Sequence, residues 1–238
     1  MIKEAIQYLV SLKENKTYQI GGDTYSDHEL VRIEPHVDRP ARISVTGLDS
    51  IVKLVRNELD LFDSLPVFVQ VDGARSVSVF TTLDAVMERD SLYEAKCDVP
   101  GFRDGFRGTE AAIIELRSKF APGEGVDYLL DLLSRISTEN GVTTRDNGVS
   151  QEVEARQGIS LRTMVQVKPR VSLRPYRTFL EVEQPESEFL LRVDAEEGVG
   201  LFEADGGMWV QTAKQRIAAY FEEKLAEEVK SGKVVVML

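Results

Sequence analysis

Between Gly141 and Phe202 the chain reads as one short strand after another, each closed by a turn signal, and this run limits the fold more than any other feature. VTTRD and VSQEVEAR flank Asn147-Gly148, and TMVQVKPRVSL, TFLEVEQ and EFLLRVDAEEGVGLF follow. Consecutive strands joined by tight turns pair antiparallel, because a parallel pair needs a crossover of a dozen residues or more. An antiparallel sheet with one apolar face must be covered, and the rest of the chain supplies helices for that purpose.

Helical spacing marks those helices. Ile2, Ala5, Ile6, Leu9 and Leu12 fall on one face near the start. Leu48, Ile51, Val52, Val55 and Leu59 form a stripe after RISV, with Thr46 as the expected N-cap and Asp49 as its capping-box partner. Two helices follow, one with Ile113, Leu116 and Phe120, the other with Val126, Leu129, Leu130, Leu133 and Ile136, divided by APGEG. PVFVQV and SVSVF around DGAR read as a hairpin that turns on a positive φ at Gly73. Ile217, Tyr220, Phe221, Leu225 and Val229 predict a long C-terminal helix, closed by Gly232 and followed by the short strand KVVVML. The fold class is therefore α+β: antiparallel β-sheets with several amphipathic helices. Pro35 and Pro40 bound a connector, which predicts an arm of helix and hairpin over residues 1–40 and a main body over residues 41–238.

Composition narrows the function classes. Forty acids against 29 Lys and Arg give a net charge of −11, which opposes whole-surface binding of nucleic acid or anionic lipid. The longest apolar run, Val234 to Leu238, is far short of the roughly 20 residues of a membrane helix, so no membrane partner is expected. A lone cysteine, Cys97, and an acid at Glu4 within the first apolar stretch point to a reducing, cytoplasmic setting.

The search for catalytic chemistry yields little. GEGVDY lacks the third glycine of a phosphate loop, and SGK at 231 to 233 follows its helix instead of opening one. His28 and His36 sit among Asp23, Asp27, Glu29, Glu34 and Asp38, without a ligand spacing that favours a metal over a solvated connector. Cys97 reads as a small apolar core residue. No catalytic residue, metal or cofactor is expected.

One constellation stands out. From Arg156 to Arg177 there are six bases (Arg156, Arg162, Lys168, Arg170, Arg174 and Arg177) and no acid, whereas Glu181 to Asp205 holds nine acids and one base. With Tyr176 and Phe179 nearby, the basic segment suits phosphates and stacked bases. Equally, the two segments suit each other, as neighbours in a sheet or across a subunit interface. The interface version predicts a closed homo-oligomer, with the six bases as interface residues. Trp209, after Gly206-Gly207, is expected to anchor the last helix on the sheet.

DNGVSQEVEARQG, LRPYRTFLEVEQPESEFLLR and LFEADGGMW resemble a YfdQ-like family of tailed-phage and prophage proteins, most closely from Asp146 to Trp209. The resemblance implies a phage-encoded, non-structural protein of the bacterial host cytoplasm, and brings no catalytic residues with it. With the residue reading, it gives the expectation of a non-enzymatic homo-oligomer that binds or scaffolds. The alternatives are an accessory of phage recombination or replication that handles nucleic acid, and a counter-defence factor that binds a host protein or a signalling nucleotide. An enzyme built from scattered carboxylates and a capsid-like shell stand behind these. Pro175 and Pro185 are expected to bracket a short strand from Arg177 to Glu183, since proline cannot donate to a ladder.

Overall fold

A computed structural model describes residues 2–11, 16–27, 32–33, 39–61, 65–84, 87–137, 142–146, 151–157, 161–194 and 196–238. They fall into two compact units, Met1–Pro40 and Ala41–Leu238. The first holds α1 (Ile2–Ser11) and a small antiparallel sheet of β1 (Thr17–Ile20), β2 (Asp23–Ser26) and β3 (Arg32–Ile33). Its hairpin turns on Gly21 and Gly22, with φ of 63° and 94°, a region glycine enters without steric cost. His28 and His36 lie outside the described residues.

The second unit opens with β4 (Ile43–Val45), α2 (Leu48–Glu58), β5 (Val67–Gly73), β6 (Ser76–Phe80) and β7 (Ser91–Lys96). It continues with β8 (Gly105–Arg107), α3 (Thr109–Lys119), α4 (Glu124–Ser137), β9 (Val142–Asp146), β10 (Gln151–Gln157) and β11 (Leu161–Val167). The last elements are β12 (Arg170–Leu173), β13 (Ser187–Asp194), β14 (Gly198–Glu203), α5 (Met208–Lys224), α6 (Ala226–Lys230) and β15 (Val234–Met237). This is the α+β architecture that the strand and helix pattern predicts, with three sheets in the second unit: β15-β5-β6-β7-β4, β12-β13-β14-β8 and β11-β10-β9.

The last two of these sheets are antiparallel throughout, whereas the five-stranded one is mixed. Its outer strands β15 and β4 run parallel to β5 and β7. Both edge strands connect through helices, α2 after β4 and α5 with α6 before β15, and a helix is the connection that parallel pairing requires.

Two apolar cores result. In the first, Leu48, Ile51, Val52, Val55 and Leu59 of the predicted α2 stripe pack on Val67, Val69 and Val79, with Ile217 and Phe221 of α5. Cys97 belongs here too, and burial pushes its thiol up, away from the thiolate. In the second core α3 and α4 cover the four-stranded sheet, where Leu116, Leu129 and Leu133 meet Phe189 and Leu191. Each such side chain contributes roughly 1.5 to 3 kcal/mol on burial, so either half has an apolar reason to close.

Three local expectations are corrected. Gly73 ends β5 without a positive φ, and the hairpin turns at Ala74-Arg75 beside an irregular register between Gln70 and Gly73. Thr46 does not cap α2: Gly47 holds the N-cap position without a side-chain bond, and the Leu48 amide donates instead to Glu181 Oε1 at 2.7 Å. Arg177 to Glu183 is not a strand but an irregular segment with a turn at its centre.

Candidate functional site: a buried arginine beneath an open cleft

Residues 174–186 leave the second half of the unit and insert into the first. Leu173 and Phe189, on either side of the segment, belong to the second core, whereas Phe179 and Val182 are buried in the first. At the outset Tyr176 N–H donates to the Lys119 carbonyl, closing on the end of α3. At the tip the Thr178 hydroxyl donates to the Ala74 carbonyl in the β5–β6 turn, and Glu181 caps α2. Without a strand ladder, the backbone needs other partners. Gln184, 5% exposed, supplies them: its Oε1 accepts from the amides of Arg177 and Thr178 at 3.0 and 3.2 Å, and its Nε2 donates to the Phe179 carbonyl at 3.0 Å.

Arg177 lies at the root of this insertion, 4% exposed. One terminal nitrogen donates to Glu203, at the end of β14, and the other to the Ser187 hydroxyl, at the start of β13. Ser187 passes its own proton donation to Asp205. Asp205 also accepts from the Gly207 and Trp209 amides, at 2.9 and 3.3 Å, and so caps α5 where Gly206 and Gly207 take positive φ. The guanidinium lies 4.1 Å from the centroid of the Trp209 ring. Within this network Arg177 Nε is buried without a hydrogen-bond partner among the described residues. The chain segments PYRTF, EQPES and EADGGMW therefore meet at one point.

Burial sets the electrostatics. It pushes Arg177 below its ordinary value, against the opposing charges of Glu203 and Asp205. Burial also pushes the Glu203 carboxyl up; Arg177 opposes the rise, and Asp205 and Asp104 add to it. For Asp205 burial acts upward as well, but the bonds from Ser187, Gly207 and Trp209 and the charge of Arg177 outweigh it and hold the group low.

Above this network lies an open cleft of about 390 Å³, at the junction of the two halves. Arg75, Phe102, Arg103 and Asp104 line it together with Arg177, Glu203 and Trp209. Among the described residues Arg75 donates only to backbone carbonyls, Val99 at 2.6 Å and Cys97 at 3.4 Å. The Arg103 guanidinium has no hydrogen-bond or ion-pair partner among the described residues. Phe102 is half-buried, with ring centroids 5.3 Å from both Phe120 and Phe189.

A second cleft, of about 500 Å³, lies between the start of α4 and β12 and gathers Lys168, Arg170 and Arg174 of the basic segment with Arg216. Its arginines are committed. Arg170 pairs with Glu188 at 2.7 Å, and Arg174 with Glu183 at 3.3 Å and with the Pro122 carbonyl. Arg216 pairs with Glu183 at 3.1 Å, and Lys168 rests 4.8 Å from the Tyr128 ring centroid. Here α4 touches β12 so closely that a Cβ on Gly125 would stand 2.1 Å from the Ser172 carbonyl oxygen; this glycine serves packing.

The structure thus divides the six bases. Arg156 and Arg162 stand opposite each other in the β10–β11 register. Lys168, Arg170 and Arg174 share the second cleft, and Arg177 is alone in the interior. Pairing between the basic and acidic segments, expected across a subunit interface, is made within one chain by Arg170, Arg174 and Arg177. Trp209 differs from expectation as well: it is half-buried and covers Arg177 instead of entering the apolar core. Sequence reasoning missed Arg75, Arg103 and Asp104, whose shared place depends on a turn and a linker with no motif of their own.

No family model, curated protein or solved structure matches the chain. Among the described residues no helix is long and apolar enough to cross a membrane.

Proposed function

We propose that this is a phage-encoded, non-structural protein of the host cytoplasm that works by binding, and that the cleft above Arg177 takes a small anionic ligand. The phage assignment rests on the resemblance carried by PYRTF, EVEQPES and EADGG. The ligand reading rests on one observation: Arg75 and Arg103 face the cleft with no carboxylate partner, in a chain whose net charge is −11. The unpaired Arg103 guanidinium keeps its full capacity for a bidentate bond to carboxylate or phosphate, and Arg75 keeps the N–H groups that do not donate to the Val99 and Cys97 carbonyls. Junctions between packed halves are also where small-molecule sites concentrate. Binding is favoured over catalysis because the nearby carboxylates are engaged: Glu203 accepts from Arg177, Asp205 accepts from Ser187, and one oxygen of Asp104 accepts the Glu203 amide at 3.2 Å.

A native-state ligand raises the melting temperature by mass action. The test is a thermal shift with nucleotides, sugar phosphates and di- and tricarboxylic acids, on the wild type and on Arg103→Glu. At least one anion is expected to raise the wild-type melting temperature and leave the variant unmoved. Equal behaviour of the two proteins across the whole set contradicts the proposal.

A further inference from the structure

The lining of the Arg177 cleft is chemically uneven. Trp209 and Phe102 give it aromatic surface, Arg75 and Arg103 give it cationic surface, and Asp104 adds an acceptor. A ligand that satisfies all three needs a flat, polarisable part, an anionic part and a donor. Simple organic acids and sugar phosphates lack the flat part, and aromatic hydrocarbons lack the charge.

Resting on the ligand-binding reading above, we infer that the ligand is a free nucleotide, its base stacked on Trp209 and its phosphate held by Arg103 and Arg75. The indole is prepared for this role. Arg177 supports one face at 4.1 Å, so a buried guanidinium backs the ring before any ligand arrives. A preset aromatic wall loses less rotamer freedom on binding than a mobile one. Stacking tolerates any base, and arginine suits phosphate through its planar fork. The second oxygen of Asp104 has no partner among the described residues and accepts a base amine or a ribose hydroxyl. The cleft, about 390 Å³, stands near the lower end of the range of roughly 300 to 1,000 Å³ for small-molecule sites. That favours a mononucleotide over a larger cofactor, and the net charge of −11 disfavours a long polyanion.

The site carries its own reporter, since Trp209 is the only tryptophan in the chain. Tryptophan emission of the full chain is followed while adenosine, guanosine, cytidine and uridine 5′-monophosphates are added, with adenosine, ribose 5-phosphate and a ten-nucleotide single strand as comparisons. Saturable quenching by at least one monophosphate is expected, at least tenfold weaker for the nucleoside and at least tenfold weaker in Arg103→Ala. Arg103 is exposed and unpaired, so that variant keeps the fold. Ribose 5-phosphate is expected to compete without quenching. If ribose 5-phosphate or citrate raises the melting temperature through Arg103 while no monophosphate quenches Trp209, the nucleotide inference fails and the anion site stands. Tighter binding of the single strand than of every monophosphate overturns the free nucleotide. If no probe changes emission or melting temperature, both readings fail.

Discussion

The two clefts of the second unit hold similar numbers of cations and differ in what those cations are doing. In the larger one Arg170, Arg174 and Arg216 each meet a carboxylate within 3.3 Å, and Lys168 lies over an aromatic ring. In the smaller one only Arg177 meets a carboxylate among the described residues; Arg75 donates to the Val99 and Cys97 carbonyls, and Arg103 is left to the solvent or to a ligand. A basic stretch of sequence is thus a poor guide to an anion site. What decides is whether the chain has already neutralised the charge, and here the acidic stretch from Glu181 to Asp205 has done so for most of the basic one.

The largest effect that would break this comparison is at Arg177. Replacing it with methionine leaves the half-buried Glu203 and Asp205 and the buried Ser187 around an apolar chain, and removing one partner of a buried pair costs about 3 to 5 kcal/mol. Urea denaturation of Arg177→Met is expected to show a loss of that order. A loss below about 1 kcal/mol would mean that the clamp does not hold the two halves together.

A smaller effect concerns acid. Burial raises the Glu203 pKa in the fold above its unfolded value, so proton uptake favours the folded state as pH falls through that raised pKa toward the ordinary carboxylate range. Stability of the wild type relative to Glu203→Gln is therefore expected to rise on acidification through this window, as followed by denaturant midpoints at stepped pH. A fall would show that Arg177 dominates and holds Glu203 low.

The smallest effect is expected in the larger cleft. Arg170 and its partner Glu188 are 58% and 46% exposed, and Arg174 pairs with a Glu183 that is 62% exposed. Exposed pairs contribute about 0 to 1 kcal/mol each. Arg170→Glu with Arg174→Glu is expected to change stability by less than about 2 kcal/mol in total and to leave the native mass unchanged. Dissociation of a wild-type assembly by this double change would restore the subunit-interface reading; with no change, any homo-oligomer must use another surface.

The parts of the fold that were legible in the sequence are those decided by local periodicity. The α2 stripe, the alternation of β5 and β6, and the Ile217 and Phe221 face of α5 all point to the core because water excludes those faces whatever the rest of the chain does. The misreadings arise where a distant residue replaces a local device. Thr46 satisfies the local rule for a cap, yet Glu181, 133 residues from the Leu48 amide it accepts, makes the bond. TFLEVEQ has strand composition, yet the side-chain amide of Gln184 takes the backbone bonds that a neighbouring strand would have taken. Trp209 has the size of a core anchor, yet a guanidinium lies beneath it. For the site, the segments around Arg177 carry the resemblance, but nothing in them says that they meet at one point. Arg75 and Arg103 could not be placed there either, because nothing local distinguishes an arginine that faces a cleft from one that faces bulk water.

The most direct test compares the clefts under one ligand pool. Thermal shifts with the mixture of nucleotides, sugar phosphates and organic acids are measured on Arg103→Ala and on Lys168→Ala, one variant for each cleft. The ligand-induced rise should vanish in Arg103→Ala and persist in Lys168→Ala. A rise that survives in Arg103→Ala and disappears in Lys168→Ala would place the anion site beside α4 and contradict the account.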